Sequence, residues 1–97
     1  MATYVSLMHF TDKGMQAVKD TVKRADAFRA AAKAHGVTVK EMLWVQGKYD
    51  VVTITEGPDE TVMSALLLDI MKNGNVRGQT LRGMNAHEMT AVIGKMS

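Results

Sequence analysis

The chain has 97 residues and no cysteine, 46% of its residues are hydrophobic, and its formal net charge is +2. This length predicts one domain over residues 1–97 with a modest core of its own. The missing cysteines exclude disulfides, thiolate metal ligands and a cysteine nucleophile, and interspersed acids and bases argue against a nucleic-acid partner. No apolar run could span a bilayer and no signal peptide is recognisable, so we expect no membrane partner and a cytoplasmic location.

The first third of the chain predicts a strand followed by a broken helix. Residues 2–10 alternate as in a strand, with two apolar faces that favour a sheet covered on both sides. Thr11 is typical of a helix N-cap, and Asp20 is a second candidate cap, so we expect a break before a main helix over residues 22–35. The apolar positions at helical spacing are Met15, Val18, Val22, Ala25, Phe28, Ala31 and Ala32.

The middle of the chain predicts a β-hairpin. Residues 37–46 and 49–56 are the two strands, and Gly47 with Lys48 fits either a two-residue turn with glycine first or a bulge. On the first of these strands, regular alternation would place Met42 and Trp44 on one face.

The last third predicts a helix, a strand and a helical tail. Pro58 suits the first position of the second helix, and its apolar stripe consists of Val62, Met63, Leu66, Leu67, Ile70 and Met71. A final strand covers residues 76–84, and Asn85 with Glu88 forms a capping-box pattern for a short terminal helix.

The predicted fold class is α+β, with the ferredoxin-like order βαββαβ and an extra C-terminal helix. Four antiparallel strands would carry the helices on one face. If the helices cover the opposite set, the bare face carries Tyr4, Met8, Phe10, Met42 and Trp44. Such a patch exceeds what a soluble monomer usually exposes, so we expect a homodimer or higher oligomer joined through the sheet face as a dimeric α/β-barrel.

The hairpin segment Gly47-Lys48-Tyr49-Asp50 resembles the motif of the GYD-domain family, small and largely uncharacterised proteins with dimeric α/β-barrel folds. The resemblance extends along nearly the whole chain, through Tyr4-Val5-Ser6-Leu7, Phe10-Thr11-Asp12, Val18-Lys19-Asp20-Thr21, Lys23-Arg24, Gly74-Asn75-Val76-Arg77 and Thr80-Leu81-Arg82. The same hairpin is similar to the ligand-binding domain of Lrp/AsnC-type regulators, which implies oligomerisation and small-molecule sensing. The chain contains no DNA-binding helix-turn-helix.

Six residues are candidates for ligand binding: Asp50, Tyr49, His9, Trp44, Arg77 and Arg82. Asp50 has two interpretations, a structural acceptor of backbone N–H bonds and a group that binds ligand or transfers a proton; the structural one is favoured. Tyr49 would be an interface aromatic or a pocket wall. His9 is the histidine expected to be partly buried, as a hydrogen-bonded residue rather than a catalytic base.

Trp44 would anchor an interface or line a pocket with Met8, Met42 and Tyr49. Arg77 and Arg82 should point to opposite faces of the sheet. For each of them the alternatives are a surface or interface salt bridge, a pair with Asp50 and the binding of an anionic ligand. The alternatives for Lys19, Lys23 and Arg24 on the first helix are an anion site and a solvated surface.

No metal-ligand spacing, phosphate loop or catalytic constellation is visible, so we expect no cofactor and no catalytic residue. The favoured function is an oligomeric small-molecule-binding or accessory protein, with its ligand in or near the sheet. The alternatives are a cofactor-free monooxygenase or isomerase of the dimeric α/β-barrel class, and a purely structural assembly module.

Overall fold

The computed structural model describes residues 1–97, whose strands form one four-stranded antiparallel sheet. In chain order the elements are β1 (Ala2–Phe10), α1 (Asp12–Gln16), a 3-10 turn (Val18–Asp20), α2 (Thr21–Ala34), β2 (Thr38–Trp44), β3 (Val51–Gly57), α3 (Glu60–Met71), β4 (Val76–Gly83) and α4 (Ala86–Ile93). The strands lie side by side in the order β2-β3-β1-β4. This α+β arrangement is consistent with the predicted ferredoxin-like fold.

The helix ends follow the local capping chemistry of the sequence. The Thr11 hydroxyl accepts the Gly14 N–H at 3.1 Å, and Asn85 and Glu88 form the predicted capping box. The helix break at Asp20 is also confirmed, although the Asp20 side chain makes no capping bond. The position predicted for Pro58 was wrong, because Asp59 caps α3 and the proline therefore lies outside the helix.

The hairpin turn is longer than the sequence suggested. The strand pairing of β2 with β3 ends at Trp44 and Val51, so residues 45–50 form a loop instead of a two-residue turn or a bulge. The Val45 N–H donates to the Asp50 carbonyl at 2.8 Å and closes this loop. Gly47 has a φ of 121°, a value that favours glycine.

The helices cover the sheet face opposite to the one we expected. Tyr4, Met8 and Met42 are buried beneath the helices, and Phe10 and Trp44 share that face by strand register. Both faces of β1 are apolar, so alternation alone cannot tell which one the helices cover. The right-handed strand–helix–strand crossover makes that choice.

A β-bulge lies in β2 between Val39 and Glu41. Val39 pairs with Thr55 and Met42 with Thr53, so these two positions share the helix-covered face despite their odd spacing. The regular alternation predicted for this strand therefore fails at Lys40.

The core lies between the sheet and the helices α2 and α3. Tyr4, Ala32, Val37, Met63 and Leu66 are its buried members, and Leu66 is completely inaccessible to solvent. The predicted stripe of α3 is confirmed by this packing. The first part of the apolar stripe predicted for residues 15–32 is not confirmed, because Met15, Val18 and Val22 are exposed. They lie around the 3-10 turn, which rotates the chain away from a single helical face.

The face of the sheet opposite the helices, here called the open face, carries two aliphatic rows. Strand register aligns Leu43, Val52 and Leu7 in one row and Ile54, Val5 and Leu81 in the other. Each row crosses three strands, and together the two rows reach all four, a width of about 14 Å at the usual strand spacing. The open face is thus apolar at its centre.

Helix α4 projects from the edge of the sheet beyond β4. Three large apolar side chains of this helix, Met89, Val92 and Ile93, are exposed. The molecule is 51 Å along its longest axis and 19 Å along its shortest. None of its helices is both long enough and apolar enough to cross a membrane.

Candidate functional site

A cavity of about 380 Å³ lies between the sheet and helices α2 and α3. It sits at the end of the sheet where β1 and β2 finish and β3 and β4 begin. Its floor is formed by Ser6, Met8, Phe10, Met42, Trp44 and Thr53. Its walls are formed by Thr21, Arg24, Ala25, Phe28, Leu67 and Ile70. Twelve of its nineteen lining residues are hydrophobic, so the cavity suits a molecule with an apolar body.

Two polar side chains of α2 line this cavity one helical turn apart. Arg24 donates to the backbone carbonyls of Ala17 at 2.9 Å and Gly14 at 3.3 Å. The Thr21 hydroxyl accepts the indole N–H of Trp44 at 3.0 Å. A hydroxyl that accepts in this way still has its own proton to donate, and a guanidinium has five N–H donors. Both side chains therefore have donors left for a ligand.

The charges around the cavity are unevenly balanced. Asp69 also lines it, and its carboxylate lies 3.1 Å from Lys72 Nζ and 3.8 Å from His35 Nε2. No carboxylate lies within ion-pair distance of Arg24. The acid of the cavity is therefore partnered by bases, whereas its arginine has only neutral carbonyl partners.

Asp50 holds the end of β1 rather than facing the cavity. One of its carboxylate oxygens accepts the Phe10 N–H at 2.8 Å, and its own N–H donates to the Met8 carbonyl at 2.8 Å. These bonds connect the loop of residues 45–50 to the last residues of β1. Neither Arg77 nor Arg82 pairs with it.

Three other predicted residues belong to the open face or its margin. His9 and Arg77 are paired neighbours on β1 and β4, and both side chains are exposed. The prediction that His9 is partly buried is therefore wrong for the single chain. Tyr49 accepts a hydrogen bond at 2.8 Å from Gln79, which pairs with Leu7 on this face. Tyr49 is not among the residues that line the cavity, contrary to the predicted pocket.

The remaining two predicted residues lie on the helix-covered side. Trp44 lines the cavity together with Met8 and Met42, as expected for a pocket. Arg82 lies at the opposite end of the sheet, where its guanidinium is 3.2 Å from Glu88 and 5.8 Å from the ring of Tyr4. The two arginines of β4 do point to opposite faces.

The structure therefore separates the six predicted residues into different regions, and a ligand-binding role for them stays a prediction. Sequence reasoning missed Thr21 as a cavity residue and left Arg24 with two alternatives, an anion site and a solvated surface. The sequence did contain an indication, since Arg24 precedes Phe28 by four residues and Ala31 by seven, the spacing of one helical face. Nowhere do three His, Cys, Asp or Glu side chains come together as a metal site would require.

Comparison with known proteins identifies the family. No curated protein matches the sequence. The family model of the GYD domain matches residues 4–93. This range includes all four helices and all four strands, apart from the first two residues of β1. The chain therefore belongs to the GYD-domain family.

Proposed function

We propose that this GYD-domain protein is an oligomeric small-molecule-binding or accessory protein whose ligand occupies the cavity between the sheet and helices α2 and α3. The observation that carries the proposal is the cavity itself, which at about 380 Å³ lies within the size range of small-molecule sites. Its lining combines an apolar majority with a few polar groups, the composition expected of a site that buries a ligand and orients it.

Trp44 offers a direct test of this proposal, because it is the single tryptophan and it lines the cavity. We expect at least one compound of a metabolite library to raise the melting temperature and to change the tryptophan emission. Ala25→Met should fill the cavity and remove both responses. Ala30→Met, on the exposed side of the same helix, is the matched control and should keep them. A library without any effect on either readout would contradict the proposal.

The oligomer would be formed by the open face. Its two aliphatic rows and the exposed apolar side of α4 are surfaces of the kind that soluble monomers rarely leave bare. An eight-residue helix is also unstable in isolation, so α4 gains from packing against a partner. We infer that this partner is a second copy of the chain, stacked sheet on sheet.

The charges at the margins of the open face support a second copy. His9 and Arg77 lie beyond one end of the aliphatic rows. Glu41 lies level with the second row, and Glu56 lies beyond that row, with its carboxylate 3.7 Å from Lys40 Nζ. A two-fold axis that lies in the interface and runs across the strands brings the two copies together in reversed direction, so the basic end of one copy can meet the acidic end of the other. This match would set the register of the two sheets.

Light scattering during size-exclusion chromatography tests the assembly. We expect a mass of at least twice the 10.6 kDa of one chain. Leu7→Glu at the centre of the open face should give monomers, because each copy would bury an unpaired carboxylate. Ala30→Glu on the opposite side of the molecule should leave the mass unchanged. A single-chain mass for the unmodified protein would refute the interface.

A further inference from the structure

We propose that the ligand of this cavity is a small amphipathic monocarboxylate, with its carboxylate held by Arg24 and Thr21 and its apolar body beneath α2 and α3. This inference rests on the proposed function and deepens it by naming the chemical class. It follows from the donors, the charge and the volume of the site.

The donors favour a carboxylate. Arg24 and Thr21 are three residues apart on α2, so their side chains lie on the same side of the helix. Two of the five guanidinium donors are used by the carbonyls of Ala17 and Gly14, which also hold the side chain in place. Trp44 fixes the Thr21 oxygen through its indole N–H, leaving the hydroxyl proton to point elsewhere. The planar fork of an arginine matches the geometry of a carboxylate, and a hydroxyl can donate to the same group.

The charge favours a single negative group. Arg24 is the only cation that lines the cavity and it has no carboxylate partner, so an anionic ligand would supply the charge it lacks. Asp69 lines the same cavity, but Lys72 and His35 lie beside its carboxylate, so Arg24 supplies the uncompensated charge of the site. A single uncompensated positive charge matches a monoanion.

The remaining volume favours a short apolar body. The cavity lies near the lower limit of about 300 Å³ for small-molecule sites. The side chains of Met8, Met42, Phe28 and Leu67 line it together with the two polar residues. Methionine side chains adapt to chains or rings of different shape. The site is therefore suited to a medium-chain or aryl-substituted carboxylic acid.

Two matched pairs of probes test the class: octanoate against octanamide and phenylacetate against phenylacetamide, followed by tryptophan emission and thermal shift. In the unmodified chain we expect at least one carboxylate to bind about tenfold or more tightly than its amide, as a charge-assisted hydrogen bond implies. Octylamine, which carries the opposite charge, should bind more weakly than either octyl compound.

Arg24→Gln should lower the affinity for the carboxylate about tenfold and so remove its preference over the amide. Lys23→Gln removes the same charge from an exposed neighbour outside the cavity and should keep the preference. If Arg24→Gln does not fold, Thr21→Val tests the second donor, and the comparison of acid with amide in the unmodified chain needs no variant at all.

The outcomes separate this inference from the proposed function. Equal affinity for acid and amide in both pairs, or a preference that survives in Arg24→Gln, overturns the carboxylate inference and leaves a ligand cavity. Absence of any response to these probes and to the whole metabolite library overturns both.

Discussion

The Asp50 carboxylate is the side chain whose role can be decided most directly. It accepts the Phe10 N–H at 2.8 Å at the point where β1 ends. Asp50→Ala removes this acceptor and leaves the two backbone bonds of residue 50, to Met8 and Val45, available to the variant. The substitution therefore isolates the side-chain contribution from that of the loop backbone.

The expected loss follows from the kind of bond. A hydrogen bond to a charged group contributes about 1.5–3 kcal/mol, and the half-buried position of Asp50 places it near the lower value. We expect Asp50→Ala to lower the free energy of unfolding by about 1.5–2 kcal/mol, and Asp50→Asn, which keeps a neutral acceptor, by about half as much. In a domain of this size the alanine variant should melt about 6 °C or more below the unmodified chain.

Urea and thermal unfolding followed by circular dichroism measure these values, and hydrogen exchange of the Phe10 amide reports the bond itself. Asp26→Ala, which removes an exposed carboxylate from α2, is the control and should change stability by no more than about 0.5 kcal/mol. If Asp50→Ala is as stable as this control but loses its response to ligands, the structural role assigned to Asp50 is refuted.

Three further variants test the packing and the electrostatics. An alanine side chain at Gly78 would overlap a backbone carbonyl of β1, so Gly78→Ala should prevent the pairing of β4 and cause a large loss of stability; Gly94→Ala, at the exposed end of α4, should be tolerated. Leu66→Ala should lower the free energy of unfolding by about 2–5 kcal/mol, as expected for a fully buried leucine, whereas Leu68→Ala on the exposed side of the same helix should have little effect. The capping bond from a backbone N–H, together with a neighbouring guanidinium, lowers the pKa of the Glu88 carboxyl, so its stabilisation of α4 is present at neutral pH and is lost as the pH falls through the lowered pKa. Proton exchange of the α4 amides should accelerate relative to the core in that acid range, and Glu88→Gln should abolish the acid-dependent step; an unchanged step in the variant would contradict this assignment.

Much of the local structure could be predicted from the sequence. Thr11, Asn85 and Glu88 act as caps because each bonds to backbone groups within three residues, and such bonds need no distant partner. The stripe of α3 was predictable for a similar reason, since helical periodicity brings its apolar positions to one side. The family resemblance, carried by short segments along the chain, was also correct.

The candidate site was less predictable, because it is assembled from four strands and two helices. The lining position of Trp44 was anticipated as part of a pocket, but the partner of its indole, Thr21, comes from another element 23 residues away in the chain. Arg24 looked like one basic residue among several on a helix. Its position against the cavity depends on how α2 is rotated over the sheet, which the 3-10 turn before it decides.

The sequence by itself determined the order of the elements, the N-terminal caps of α1 and α4 and the apolar stripe of α3, all of which depend on interactions between near neighbours. Only the tertiary structure decided which face of β1 the helices cover, because both faces are apolar and the handedness of the crossover makes the choice. It also decided that the bulge at Lys40 brings Val39 and Met42 to the same face. The cavity beneath α2 is a further consequence of packing between distant segments, and no local pattern encodes its volume.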